Sequence, residues 1–150
     1  MNPFPDRSRR PASDHGRLKR SEHQTAALLG AIAATLAVMS FLHLTGSVGR
    51  DDKSFDGAAA AVAEAVLCVV LGYGTAALLR GGPAARSIAL AATGFAIVGF
   101  LIGVSFTLRG GSLIDVAYHL GSLPILVLAL IALLRMPGAD QRRTHPGARE

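Results

Sequence analysis

The chain has 150 residues, 51% of them hydrophobic, with 15 Lys and Arg against 10 Asp and Glu. Long apolar runs dominate this composition, which indicates a polytopic membrane protein and leaves little chain for a soluble domain. The single cysteine, Cys68, excludes an internal disulfide framework and a Cys-x-x-Cys redox pair. The basic excess lies in tails and loops without an aromatic framework for reading bases, so no nucleic-acid partner is expected.

The predicted elements begin with a basic, proline-containing tail over residues 1–24, predicted to be disordered and cytoplasmic. Each of the four apolar runs that follow is long enough, at about 1.5 Å of rise per residue, to cross a hydrocarbon core about 30 Å thick. Residues 25–135 are therefore predicted to form one transmembrane domain, and residues 136–150 a second disordered cytoplasmic tail. The predicted spans are residues 25–44, 57–79, 84–108 and 113–134.

The distribution of cations predicts the orientation of these spans. Twelve Lys and Arg residues lie in the two tails and the loop between spans two and three or within three residues of them, whereas the two remaining loops hold three: Arg50, Lys53 and Arg109. By the positive-inside rule, both termini are cytoplasmic. The predicted fold is all-α: a four-helix antiparallel transmembrane bundle in the cytoplasmic membrane, with the lipid bilayer as its first partner.

Small residues at helical spacing predict how the spans pack. Gly99 and Gly103 in span three are four residues apart, a spacing that lets helix backbones approach closely inside a membrane. We favour packing within the bundle, because the four spans of one chain must first pack against one another. The alternative is that the two glycines form a seam with a second copy or another membrane protein.

Four ionisable residues lie within or at the ends of the apolar runs. Glu64 lies about 10 Å inside the end of span two, and His119 is at nearly the same depth in span four. His43 and Asp115 lie nearer the same predicted outer surface. An intramembrane ionisable group is costly unless it is paired or faces water, so His43, Glu64, Asp115 and His119 are the candidate site.

Several interpretations of these four residues stay open. A hydrogen-bonded cluster that holds helices together predicts a structural, accessory or signalling protein. A coupled Glu64 and His119 pair would instead make the protein responsive to protons or ions. A metal or haem site is a weaker interpretation, because the chain has no multi-histidine motif. We assign no metal ligands, no cofactor and no catalytic residues from the sequence. The chain is not expected to be an enzyme.

Short motifs within the spans also carry a family resemblance. Over residues 25–135 the chain resembles small four-span integral membrane proteins of high-GC Gram-positive bacteria. The resemblance implies the four-helix fold and the cytoplasmic membrane, and it implies no activity. The motifs that carry it are HLTG at 43–46, AEA at 63–65, GFAIVGF at 94–100 and DVAYH at 115–119.

Overall fold

The computed structural model describes residues 12–48, 56–110 and 112–136, and regular secondary structure in these segments is entirely α-helical. Each of the four helices is long and apolar enough to cross a membrane, which confirms the predicted all-α fold with four candidate spans. In α1 the candidate span lies within Lys19–Leu44. The helices are α1 (Ala12–Leu44), α2 (Gly57–Arg80), α3 (Ala85–Gly110) and α4 (Leu113–Arg135).

Helices α2, α3 and α4 begin and end within two residues of the predicted spans, because their ends carry local signals. Asp56 accepts hydrogen bonds from the backbone N–H groups of Ala58 and Ala59, which satisfies two donors that the first turn of α2 leaves free. Ser112 and Asp115 form a reciprocal capping box at the start of α4. The predicted tail beyond Met136 lies outside the described residues.

Helix α1 differs from the prediction at its start. It begins at Ala12, so the segment 12–24 is helical where a disordered tail was predicted. This segment follows the last proline of the tail and is rich in Lys, Arg and Glu, which are good helix formers. The apolar part of α1 is already helical in the bundle, so the extension needs no separate nucleation. Each added residue requires only helix propagation, which costs less free energy than nucleation. Residues 1–11 lie outside the described part of the chain.

Consecutive helices pack against one another, and α4 also contacts α1, which closes the bundle. Large apolar side chains are also exposed on all four helices, so the outside of the bundle is suited to hydrocarbon rather than water. The interior is built from apolar side chains of every helix. The largest fully buried ones are Leu29, Leu36, Leu71, Phe100, Leu126 and Leu133.

Arg86 joins the first turn of α3 to the last turn of α4. Its Nε atom donates to the carbonyl of Leu133 at 2.9 Å, and its Nη2 atom donates to the carbonyl of Leu134 at 3.0 Å. The last carbonyls of a helix have no intrahelical donor, and a cation there also interacts favourably with the helix dipole. The beginning of α3 and the end of α4 therefore lie side by side.

The two glycines of the Gly99-x-x-x-Gly103 motif face neighbouring helices of the same chain. A Cβ atom added at Gly99 would lie 2.7 Å from Cδ2 of Leu67 in α2, and one added at Gly103 would overlap the ring of His119 in α4. The absent side chains therefore let α3 approach both neighbours.

Candidate functional site

The side chain of His43, in the last turn of α1, lies between two carboxylates from other helices. Its Nδ1 atom donates to Oε2 of Glu64 in α2 at 2.8 Å, and its Nε2 atom lies 3.0 Å from Oδ1 of Asp115 in α4. All three residues are buried, at 4%, 4% and 0% exposed. We call His43, Glu64 and Asp115 the imidazole bridge, because one ring connects three helices.

A second contact between α1 and α2 accompanies the contact of His43 with Glu64. The hydroxyl of Ser40 donates to the backbone carbonyl of Ala61 at 2.8 Å. Ser40 precedes His43 by three residues, and Ala61 precedes Glu64 by three, so each pair shares one helix face. Both contacts therefore join the same face of α1 to the same face of α2.

Asp115 both caps its own helix and joins the bridge. Its Oδ2 atom accepts hydrogen bonds from the backbone N–H of Ser112 at 3.2 Å and from the Ser112 hydroxyl at 2.8 Å, while Oδ1 faces His43. A carboxylate in the first turn of a helix is also stabilised by the free N–H groups and the helix dipole. Oδ2 of Asp115 therefore has two hydrogen bonds, whereas its buried Oδ1 atom has none in the part of the chain that the structure describes.

Glu64 has fewer hydrogen bonds than Asp115. Its Oε2 atom contacts His43, but within the part of the chain that the structure describes, its Oε1 atom has no hydrogen-bond partner. A buried polar atom without a partner is costly, because burial removes it from water and nothing replaces the lost hydrogen bonds. The two carboxylates of the bridge thus have unequal environments.

The fourth predicted residue, His119, lies next to the bridge without entering it. Its Nδ1 atom donates to the backbone carbonyl of Asp115 at 2.8 Å, which is a contact within α4. Its ring packs against Phe100 with the centroids 5.2 Å apart and fills the space beside Gly103. The structure therefore brings three of the four predicted residues into contact and places His119 in the α3–α4 interface.

One polar contact deeper in the bundle was not predicted from the sequence. The hydroxyls of Thr35 in α1 and Tyr118 in α4 lie 3.2 Å apart. A tyrosine hydroxyl within an apolar helix needs a hydrogen-bond partner. This requirement could have predicted a polar contact of Tyr118 from the sequence. Thr35 also donates to the carbonyl of Ile32 in its own helix.

The geometry bears on the metal, haem and catalytic interpretations. No group of three His, Cys, Asp or Glu residues that could hold a metal ion is found among residues 12–48, 56–110 and 112–136. In the bridge, the two carboxylates lie at the two different ring nitrogens of His43, so the three groups share no common point for an ion. Nδ1 of His119 contacts a backbone carbonyl instead of a carboxylate, unlike the histidine of a Ser-His-Asp triad.

Chemically, the imidazole bridge can link three helices through buried charge-assisted contacts, and it can hold or release protons. No protein-family model, curated protein or solved structure matches the chain.

Proposed function

We propose that this chain is a multi-pass protein of a bacterial cytoplasmic membrane with a non-enzymatic structural, accessory or signalling role. The observation that carries the proposal is the contact of one imidazole, His43, with the carboxylates of both Glu64 and Asp115. In this account the imidazole bridge ties α1, α2 and α4 together. Membrane-protein partners, or further copies of the chain, then bind to a bundle whose helices are held in one arrangement.

The burial of the bridge supports a structural role. A charged side chain in the hydrocarbon region costs roughly 2.5–3.5 kcal/mol on insertion scales, so such groups pair with one another. Here each ionisable group has its counterpart on a different helix. Removing one partner leaves a buried charge uncompensated, which makes the arrangement of the three helices specific.

Contacts at both ends of the bundle support the antiparallel arrangement. Arg86 places the start of α3 beside the end of α4. A Cβ atom added at Gly57 would lie 3.4 Å from the carbonyl oxygen of His43, so the start of α2 lies beside the end of α1. Together with the excess of cations in the tails and the middle loop, these contacts favour a bundle with both ends of the chain in the cytoplasm.

The short connections support a non-enzymatic role. The helices are joined by residues 45–56, 81–84 and 111–112, which are too few to build a substrate pocket outside the membrane. Ser40, His43 and His119 each contact a side chain or a backbone carbonyl.

Single-cysteine labelling tests the membrane arrangement. In a Cys68→Ala background, Ser47→Cys and Ala84→Cys place one thiol at each predicted surface, and both positions are exposed. A membrane-impermeant maleimide added to intact cells should label position 47 and spare position 84 until the membrane is permeabilised. Equal labelling of the two positions in intact cells would contradict the antiparallel arrangement.

The amount of folded protein in the membrane tests the role of the bridge. His43→Leu should lower that amount, because it leaves Glu64 and Asp115 buried without the ring between them. The matched control is His23→Leu, which changes an exposed histidine whose ring contacts the carbonyl of Lys19 in its own helix. Equal amounts of the two variants would contradict a structural role for the bridge.

A further inference from the structure

We propose that the end of the bundle where α2 and α4 finish binds the phosphate groups of anionic membrane lipids. The binding groups are Arg20 in α1, Arg80 in α2 and Arg135 in α4, which we call the cationic rim. All three residues are exposed. The inference goes beyond the proposed function and rests on its antiparallel arrangement, which brings the three cations to one membrane surface.

The contact between α1 and α4 places Arg20 and Arg135 at similar levels. The hydroxyls of Thr35 and Tyr118 lie 3.2 Å apart and join the two helices. Arg20 precedes Thr35 by 15 residues, which is about 22 Å of helix. Arg135 follows Tyr118 by 17 residues, which is about 25 Å in the same direction in an antiparallel pair. The two levels therefore differ by about 3 Å.

Arg80 reaches the same surface from α2. A Cβ atom added at Gly30 would lie 3.4 Å from Cγ2 of Thr75, so these two residues are neighbours. Arg20 precedes Gly30 by 10 residues, or about 15 Å, whereas Arg80 follows Thr75 by 5 residues, or about 8 Å. The difference of about 7 Å is comparable to the thickness of one headgroup region of a bilayer. Because arginine side chains are long, all three charges can reach one layer of headgroups.

Two of these arginines also lie at the end of an exposed apolar helix face. Arg80 follows Val69 by eleven residues and Tyr73 by seven, and these two residues are 70% and 61% exposed. Arg135 follows Leu128 by seven residues, and Leu128 is 63% exposed. Each face therefore presents apolar surface along the span and a cation at its end.

The positive charge of the cationic rim is not cancelled by ion pairs within the described residues. The salt bridges there belong to His43, and none involves the cationic rim. Lys19, which is exposed beside Arg20, adds a positive charge, and Glu22 offsets one. Arg86 lies at the same end but donates to two backbone carbonyls of α4. Anionic headgroups can therefore act as the counterions of the cationic rim.

The opposite end of the bundle has a more even balance of charge. Arg109 is exposed in the last turn of α3. The sequence that connects α1 to α2, residues 45–56, contains two cations and three aspartates. A cation near the surface raises the affinity for anionic lipid by about fivefold, and this attraction is opposed where carboxylates are equally frequent. The preference for anionic lipid is therefore expected mainly at the cationic rim.

The apolar faces and the cations together specify a lipid as the occupant. A soluble phosphate or an acidic protein would contact the cations but not the apolar faces beside them. An anionic phospholipid such as phosphatidylglycerol contacts both. Its phosphate can accept two N–H bonds from one guanidinium, while its acyl chains lie along the exposed face of the helix.

Electron paramagnetic resonance of spin-labelled lipids tests the proposal. The full-length protein is reconstituted in phosphatidylcholine bilayers with a trace of phosphatidylglycerol or phosphatidylcholine that carries a nitroxide on one acyl chain. The fraction of label immobilised by the protein gives the relative affinity of the two lipids. Phosphatidylglycerol should be favoured by about twofold or more, averaged over all lipids around the bundle. Equal affinity for the two lipids would overturn the proposal.

Variants with wild-type helix content test which cations are responsible. Arg135→Gln should lower the preference for phosphatidylglycerol, whereas Arg135→Lys keeps the charge and should keep most of it. The matched control is Arg109→Gln, because both arginines are exposed in the last turn of a helix, at opposite ends of the bundle. The triple variant Arg20→Gln, Arg80→Gln and Arg135→Gln should abolish the preference. A preference that survives in the triple variant, or that falls as far in Arg109→Gln as in Arg135→Gln, would overturn the proposal.

Two additions to the sample test the chemistry of the ligand. Sodium chloride at about 1 M should reduce the preference, because it screens interactions between exposed charges. Glycerol 3-phosphate in millimolar excess at constant ionic strength should leave the preference unchanged, because this anion has no acyl chains. A preference that is insensitive to salt would contradict binding by charge and overturn the proposal. Displacement of the lipid by glycerol 3-phosphate would identify a soluble phosphate as the ligand, which would also overturn it.

The lipid proposal and the antiparallel arrangement fail in different ways. If Ser47→Cys and Ala84→Cys are labelled from opposite sides but phosphatidylglycerol is not favoured, only the lipid proposal is wrong. If the two positions are labelled equally in intact cells, the arrangement is wrong. The cationic rim then has no common membrane surface, and both proposals fail.

Discussion

The imidazole of His119 occupies the space that the missing side chain of Gly103 leaves in α3. A Cβ atom at Gly103 would overlap Nε2 of the ring. The ring cannot move aside easily, because it packs against both Phe100 and Tyr118 and donates to the carbonyl of Asp115. This contact sets the distance between α3 and α4 at the level of the imidazole bridge.

Gly103→Ala should therefore destabilise the bundle. The added methyl group must displace a packed ring, and overpacking of this kind costs about 1–3 kcal/mol. The measurement is the free energy of unfolding in mixed micelles, followed by circular dichroism. Gly94→Ala is the matched control in the same helix, because a Cβ atom there has no neighbour within 4 Å. Equal unfolding free energies for the two variants would contradict the packing described for Gly103.

Gly99 makes the corresponding contact on the other side of α3. Gly99→Ala should destabilise the bundle, because its Cβ atom would lie 2.7 Å from Leu67. Shortening Leu67 should relieve part of this destabilisation. The double variant Gly99→Ala with Leu67→Ala should therefore lose about 1 kcal/mol less free energy of unfolding than the sum of the two single variants. A double-mutant cycle measures this coupling. If Gly99→Ala changes the oligomeric state without coupling to Leu67, the glycine belongs to an intermolecular seam instead.

Arg86 should contribute to stability through the two carbonyls that it binds at the end of α4. Arg86→Gln is expected to lower the free energy of unfolding by about 1 kcal/mol, since hydrogen bonds from a charged donor and a favourable interaction with the helix dipole are lost. Arg80→Gln is the matched control, because it removes an exposed cation from the last turn of α2, near the same end of the bundle. A larger loss for Arg80→Gln than for Arg86→Gln would contradict the contact.

The imidazole bridge should show strong coupling between its members. His43→Leu leaves two buried carboxylates facing each other, and breaking a buried pair in this way costs about 3–5 kcal/mol. Adding Glu64→Gln to His43→Leu removes one of the two charges and should restore part of the stability. A double variant that is no more stable than His43→Leu alone would show that the two carboxylates do not interact. The same unfolding assay measures all three proteins.

The sequence predicted the helices better than their contacts. Hydropathy identifies a membrane-spanning helix because the thickness of the bilayer dictates its length, and the capping residues Asp56 and Ser112 mark where two of the helices begin. The start of α1 was missed because a charged helical extension outside the apolar run carries no hydropathy signal.

For the candidate site, the sequence indicates depth and helix face but not the partner. From the rise of a helix, it placed Glu64 and His119 at nearly the same depth, and His43 and Asp115 nearer the same surface. Which atoms meet depends on how each helix is rotated about its axis and on its distance from its neighbours. The ring of His119 packs against α3 because Gly103 leaves space for it there. The spacing of residues within α4 does not reveal that space, because it belongs to another helix.

The most direct test of the account is a measurement of whether one histidine ring contacts two carboxyl groups on different helices. In protein labelled with ¹⁵N in histidine and ¹³C in the side-chain carboxyls of Asp and Glu, solid-state NMR in bilayers detects ¹⁵N–¹³C dipolar couplings. The account predicts couplings from His43 to Glu64 through Nδ1 and to Asp115 through Nε2, assigned by their loss in Glu64→Gln and Asp115→Asn. Coupling to neither carboxyl, or to only one of them, would contradict the imidazole bridge.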